Sequence, residues 1–366
     1  MSVSGRIERQ NFDADIKGSF VPYYSQFSGP VSVTVTLGQV LFAGTLAFSH
    51  LPKPTKRFCS PGPVLYPITA TSFFHKRYKN VLVVYFGLDG AIAEVMNIEG
   101  AWRLTTWVAA PGVSTATRLA VANCPGNGQV HLFYTTTRNT IGLRVFTLGT
   151  GWSPGRLDVQ GEAPVIPPWS ALSALHSPRS LRLYYQRDDD VICEISRETA
   201  STEWVRTELG RAARGTSITS VWYPGKESPV YLVYFQGEDG RLCGYRHDGE
   251  GGEISELPLV DVPLRAPLSA VAWWCSGRAS VRLFYISAGG EVCGLSWLDD
   301  QGWTRSYRIE RSDGESIGRG GQIAALQMGR GDKIRIYLYD SSRSTLDEIG
   351  FSKTRRKPMV NTIWHR

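Results

Sequence analysis

At 366 residues, 42% of them hydrophobic, the chain can bury a large core, and its 38 glycines, 20 prolines and 11 tryptophans lean toward strands and turns. The net charge of +7 is modest and, apart from Lys353, Arg355, Arg356 and Lys357, the basic residues are scattered, which argues against a nucleic-acid surface with clustered cations and interleaved aromatics. Residues 1–20 carry Arg6, Glu8, Arg9, Asp13, Asp15 and Lys17 around no apolar core, and the chain has no Asn-x-Ser/Thr sequon, so no secretory signal is read and a cytoplasmic protein is expected.

Residues 1–65 form a non-repeating extension. Within it Val31, Val33, Val35 and Leu37 alternate with small polar residues, the period of a strand and not of a membrane span. A hairpin over Val31 to Phe48 is expected, followed by a linker marked by Pro52, Pro54, Pro61 and Pro63. The extension is left three roles: covering a face of the region beyond residue 65, capping an edge, or making the contact of a homodimer.

From residue 66 onward one aromatic signature recurs six times. Val81-Leu82-Val83-Val84-Tyr85 is followed by Val130-His131-Leu132-Phe133-Tyr134 and Leu181-Arg182-Leu183-Tyr184-Tyr185. Then come Val230-Tyr231-Leu232-Val233-Tyr234, Val281-Arg282-Leu283-Phe284-Tyr285 and Ile334-Arg335-Ile336-Tyr337-Leu338. The starts lie 49, 51, 49, 51 and 53 residues apart, a period that in a β-rich chain means propeller blades or solenoid coils. Each unit opens on a small-residue strand such as Leu268-Ser269-Ala270-Val271-Ala272. The signature strand follows, then a turn such as Asp239-Gly240, a third strand, and often a tryptophan opening the fourth: Trp102, Trp152, Trp204 and Trp303. Four strands per fifty residues predict an all-β, six-bladed β-propeller of four-stranded antiparallel blades over residues 66–366, the last blade supplying its own fourth strand.

The remaining chemistry is sparse. Cys193, Cys243 and Cys293 fall in the third strands of successive units, too far apart for disulfides and without metal-ligand spacing, so they read as buried free thiols. The six histidines show no ligand spacing, and no GxSxG, HExxH, Walker or GxGxxG motif occurs. No cofactor and no metal are expected. His131 is the histidine to watch, because it takes a signature position that is arginine in other units.

The third unit, with Arg182 on its second strand, Glu194 twelve residues later and Trp204, resembles the repeat of the fungal fucose-specific lectins. The resemblance covers the roughly 300 residues of the repeat region and implies sugar clefts between blades. There the arginine and glutamate would bond sugar hydroxyls while tryptophan covers the apolar sugar face. On this pattern Arg182 with Glu194 and Arg335 with Glu348 keep both partners. The first unit has Glu94 with Leu82 in the arginine place, the second His131 with Leu143, the fourth Tyr231 with Gly244, and the fifth Arg282 with Gly294. Glu253 and Ile254 fall where a tryptophan would serve the third unit, whereas ring closure would bring Trp102 beside the last.

The eroded pairs also resemble the lectin-like hetero-Diels–Alderases of fungal tropolonic sesquiterpene biosynthesis. That likeness implies a cofactor-free enzyme joining an ortho-quinone methide, from a tropolone or phenol, to an alkene of a humulene-type terpene. In this reading Arg335, Glu348, Arg182 and Glu194 polarise the enone or assist dehydration, and Trp102, Trp204, Arg282, His131, Trp222 and Trp273 line the pocket. The alternative is a lectin with few surviving sites whose partner is a fucosylated glycan. Neither reading calls for a membrane or a nucleic acid.

Overall fold

The computed structural model describes residues 31–37, 40–46, 67–75, 79–88, 90–98, 100–108, 110–124, 128–248, 251–258, 260–275, 277–309, 316–317, 321–328, 333–340, 342–351 and 359–365. The chain divides into two compact units, Met1–Gly62 and Pro63–Arg366. In the first, β1 (Val31–Leu37) and β2 (Val40–Leu46) pair antiparallel, Val31 opposite Leu46. The expected linker prolines Pro52, Pro54, Pro61 and Pro63 lie outside the described residues.

The second unit is a six-bladed β-propeller. Blade one is β3 (Ile68–His75), β4 (Lys79–Leu88), β5 (Ala91–Ile98) and β6 (Ala101–Val108). Blade two is β7 (Leu119–Cys124), β8 (Gln129–Thr135), β9 (Ile141–Thr147) and β10 (Gly151–Pro154); blade three is β11 (Leu172–His176), β12 (Ser180–Gln186), β13 (Val191–Glu198) and β14 (Val205–Arg211). Blade four is β15 (Thr219–Pro224), β16 (Pro229–Gln236), β17 (Leu242–His247) and β18 (Gly252–Glu256). Blade five is β19 (Leu268–Cys275), β20 (Arg278–Ile286), β21 (Val292–Leu298) and β22 (Gly302–Ile309); blade six is β23 (Gln322–Gln327), β24 (Ile334–Asp340), β25 (Thr345–Phe351) and β26 (Met359–His365). Each blade is a meander hydrogen-bonded in chain order. The first strands of successive blades lie side by side, and β23 beside β3 closes the ring.

Small residues on the first strands, such as Ala120 and Ala122 on β7, let six strands crowd around the axis, while the second strands are buried on both faces. A strand buried on both sides reads as a nearly continuous apolar run, which is why the signature stands out. Among the described residues six apolar clusters hold the blades together, one at each junction between neighbours. Phe133 and Leu143 of blade two pack with Leu183 and Tyr185 of blade three, and Leu232 and Tyr234 of blade four pack with Leu283 and Tyr285 of blade five. At about 1.5–3 kcal/mol for each fully buried large side chain, this packing between blades dominates the cohesion of the ring.

The turn from second to third strand repeats its backbone six times. Gly90, Asn139, Asp190, Gly240, Gly290 and Ser344 all have φ between +55° and +81°. Three blades meet that requirement with glycine and three with short polar residues that tolerate the left-handed region. Beside this turn Gln186 is wholly buried and stitches two blades. Its Nε2 donates to the carbonyls of Ala212 and Ala213 at 3.2 Å, and its Oε1 accepts from Gly215 N at 2.9 Å. Gln236 repeats the stitch one blade on, donating to Pro263 O and accepting from Arg265 N.

The cysteines expected in the third strands, Cys193, Cys243 and Cys293, lie on β13, β17 and β21, and with Cys124 and Cys275 they are all free thiols. Burial pushes the Cys193 and Cys243 thiols up, the behaviour of small hydrophobes and not of nucleophiles.

Candidate functional site

Strand parity decides which residues look into which cleft. On β12 Leu181, Leu183 and Tyr185 pack toward blade two, while Tyr184, and with it Arg182, faces blade four. The residue two before the buried aromatic, on the face toward the following blade, is therefore the arginine place, and the residue opposite that aromatic on the third strand is the glutamate place. Tyr184 is opposite Glu194, Tyr337 opposite Glu348, and Phe284 opposite Gly294.

This register corrects two expectations. On β4 it is Tyr85 that stands opposite Glu94, and Val81, Val83 and Tyr85 pack toward blade two, so the arginine place holds Val83 and not Leu82. On β16 Tyr234 stands opposite Gly244 while Tyr231 faces back toward blade three, so the arginine place holds Leu232 and not Tyr231. A slip of one residue turns every side chain to the other face, and apolar residues on both faces hide the slip.

The ten candidate residues separate into four clefts, numbered by the blade that would supply the arginine. In the sixth, between blades six and one, Trp102 Nε1 donates to Glu348 Oε2 at 3.3 Å and Tyr337 Oη donates to Glu348 Oε1 at 3.5 Å. Arg335 Nε lies 3.7 Å from Glu348 Oε1, and Trp102 meets the Tyr337 ring edge-on at 5.6 Å. Glu348 is buried, but the Arg335 side chain is 39% exposed, so the guanidinium faces solvent with donors to spare. Gly350, opposite Arg335, keeps this geometry open, because a Cβ there would come within 2.5 Å of Arg335 Nη1.

The third cleft holds the same pair in another state. Arg182 Nη1 donates to Glu194 Oε1 at 2.6 Å, Arg182 Nε donates to Ser180 Oγ at 2.9 Å, and the guanidinium lies over the Tyr231 ring at 3.9 Å. Tyr231 is pinned in turn by hydroxyl contacts to Ser177 at 2.8 Å and Ser180 at 3.1 Å. The Arg182 side chain is only 10% exposed. Burial pulls its pKa down, but Glu194 and Tyr184 beside it more than offset this and hold it above the ordinary arginine value. Trp222 packs against this cluster.

Trp204 does not join the Arg182 pair. It faces blade two, packs with Phe133 and Leu143 in the second cleft, and donates from Nε1 to Arg156 O at 3.1 Å. Expecting it beside Arg182 followed from their shared blade, but the tryptophan of each blade serves the cleft before it. The tryptophan that would serve the third cleft is absent. Gly252, opposite His247, takes the place that Trp102 takes opposite Asn97, and the Tyr245 phenol lies in the space a side chain there would need. Glu253 and Ile254 therefore fall one and two residues beyond it.

His131 lies in the second cleft stacked on His176, ring centroids 5.6 Å apart. In the fifth cleft Arg282 is buried over Trp273 at 5.2 Å, with Gly294 in the glutamate place. The fourth cleft is lined by apolar side chains. A Cβ on Gly244 would meet Leu257 and Tyr234 at 3.2 Å, Trp303 meets Tyr234 edge-on at 5.7 Å, and Tyr223 stacks against Trp274 and Trp297. Among the described residues no group of three His, Cys, Asp or Glu side chains is placed to hold a metal.

Two contributors escaped the sequence reading. Tyr337 and Tyr231 are core-type residues in sequence, yet one donates to Glu348 and the other covers Arg182. The Arg-x-Tyr spacing shared by Arg182/Tyr184 and Arg335/Tyr337 was the available signal for the first. The second comes from the neighbouring blade and has none.

Comparison with known proteins places this arrangement. The chain is 25% identical over 263 residues to the fucose-specific lectin g276 of Arthrobotrys oligospora, a match spanning 66% of this chain and 66%, just under two thirds, of that protein. The crystal structure of AofleA from the same organism superposes with a TM-score of 0.69 at 20% identity, covering 83% of this chain and 88% of that one. The six-bladed β-propeller of the Aleuria aurantia lectin superposes with a TM-score of 0.65 at 18% identity, covering 81% and 95%. The family model described as Fungal fucose-specific lectin matches residues 68–357, the whole run from β3 to the last blade, and the chain belongs to that family.

Proposed function

We propose that the protein is a lectin that binds a fucose-type sugar, as the free monosaccharide or the terminus of a glycan, in the sixth cleft. One observation carries the reading: among the described residues, Arg335 is the solvent-facing guanidinium that stands beside a buried glutamate and a tryptophan from the next blade. The solvent-facing donors of Arg335 and the acceptor lone pairs of Glu348 suit vicinal sugar hydroxyls, and the Trp102 ring suits the C–H face of a pyranose. The Aleuria aurantia structure is described as showing a novel fucose recognition mode, which supports the same sugar class here.

The cycloaddition reading has less support. A terpene would need an open apolar cleft, and in the fourth cleft, which has lost both polar partners, the protein's own Trp274, Trp297 and Trp303 pack against Tyr223 and Tyr234. The test is calorimetric titration with L-fucose of the full chain and of Arg335→Ala. The lectin reading expects saturable binding at one site per chain that Arg335→Ala removes. No binding at millimolar sugar would overturn it and make turnover of a quinone-methide precursor with a terpene the next assay.

A further inference from the structure

The second cleft, between blades two and three, repeats the plan of the sixth with its carboxylate lost. His131 stands in the place of Arg335, Leu143 in that of Glu348, and Trp204 in that of Trp102. Arg197, opposite Leu181, takes the place that Asn97 holds opposite Leu82, and His176, also opposite Leu181, takes the place of Ser72. The carboxylate of the sugar cleft is gone and a guanidinium has been gained.

That guanidinium is held and unspent. It lies over the Trp204 ring at 4.8 Å, is partly buried, and no carboxylate among the described residues pairs with it. Next to it His131 is 4% exposed, and its buried Nδ1 has no hydrogen-bond partner. His176 Nδ1 lies 2.7 Å from Ser177 O, which fixes the ring under His131. An unsatisfied buried nitrogen costs about 1–3 kcal/mol, a cost that a ligand oxygen or hydroxyl would remove.

We propose that the second cleft binds an acidic sugar, a pyranose carrying a carboxylate or a sulfate ester, with the anionic group on Arg197 and the imidazoles of His131 and His176 completing its hydrogen bonds. The proposal rests on the reading of these clefts as sugar sites, but its ligand and its residues differ from those of the sixth cleft. Burial, with the charges of His176 and Arg197, holds the His131 pKa down at about 3, and burial lowers His176 as well. At neutral pH both imidazoles are uncharged, so the positive charge facing the anion is that of Arg197. A neutral sugar gains nothing from that charge, and the missing carboxylate no longer repels an acid.

The experiment uses the full chain and its Arg335→Ala variant, which disables the sixth cleft. Each is titrated calorimetrically with glucuronic acid, N-acetylneuraminic acid, glucose 6-sulfate and neutral glucose. The expected result is saturable binding of an acidic sugar, equal in wild type and Arg335→Ala, absent for glucose and weakened by salt. Arg197→Gln should weaken it by at least about tenfold, whereas Arg197→Lys should retain most of it. Preference for the carboxylates or for the sulfate ester identifies the anion. No saturable acidic-sugar binding to wild type overturns the proposal, as does binding that survives Arg197→Gln undiminished or disappears with Arg335→Ala. Failure of fucose to bind would overturn the sixth-cleft reading alone.

Discussion

The third and sixth clefts hold the same arginine–glutamate pair on the same two strands, yet one is closed and the other open. In the third, Arg182 is spent on Glu194 at 2.6 Å, on Ser180, and on the Tyr231 ring. In the sixth, Arg335 stays 3.7 Å from Glu348, whose oxygens are instead engaged by Trp102 and Tyr337. The difference comes from the neighbouring blade, since blade four offers a tyrosine that covers the guanidinium and blade one a tryptophan that engages the carboxylate. An open pair and a pair spent on the fold are thus one motif in two settings. When buried and closed, the pair contributes little beyond an isosteric apolar core, but removing half of it is costly.

Four substitutions test that contrast. Arg182→Ala should leave Glu194 buried without its cation, lowering stability by about 3–5 kcal/mol and the apparent Tm with it, while fucose binding to the protein that remains folded is unchanged. Arg335→Ala should do the reverse, costing about a hundredfold in fucose affinity with a thermal melt close to wild type, because the side chain already faces water. If both variants lose stability equally and neither affects binding, the two clefts are the same kind of structure and the contrast fails. Trp102→Phe keeps an aromatic face but removes the donor to Glu348, so affinity should fall about tenfold, read by calorimetry. Gly350→Ala places a methyl 2.5 Å from Arg335 Nη1 and should displace the guanidinium. A flexible side-chain end can move at little cost, so the expected loss is severalfold in affinity with folding intact.

The ring itself was legible because its second strands are buried on both faces and so repeat as apolar runs with a period near fifty. The same property hid their facing. In Val81-Leu82-Val83-Val84-Tyr85 either parity is apolar, and only pairing with Glu94 through Tyr85 assigns Val83 to the arginine place. Arg335 and Glu348 were legible because a charge in an apolar run is conspicuous. That Arg182 is closed was not legible, since Tyr231, which closes it, lies forty-nine residues along the chain and looks like any core aromatic. Arg197 was missed for a related reason: an arginine near the end of a third strand is unremarkable until Trp204 and two histidines are found around it.

Among the described residues blade six contains only its own four strands, with no strand from the other end of the chain woven into its sheet. The seam where β23 meets β3 is held by side chains, and the sixth cleft lies along it, with Trp102 and Glu348 separated by 246 residues of sequence. A sugar gripped by Arg335 and covered by Trp102 would therefore act as a clasp joining first blade to last. By mass action each tenfold rise of free ligand above its Kd adds about 1.4 kcal/mol against any opening that parts those residues. Occupancy of one small site would then set how firmly the whole ring stays shut.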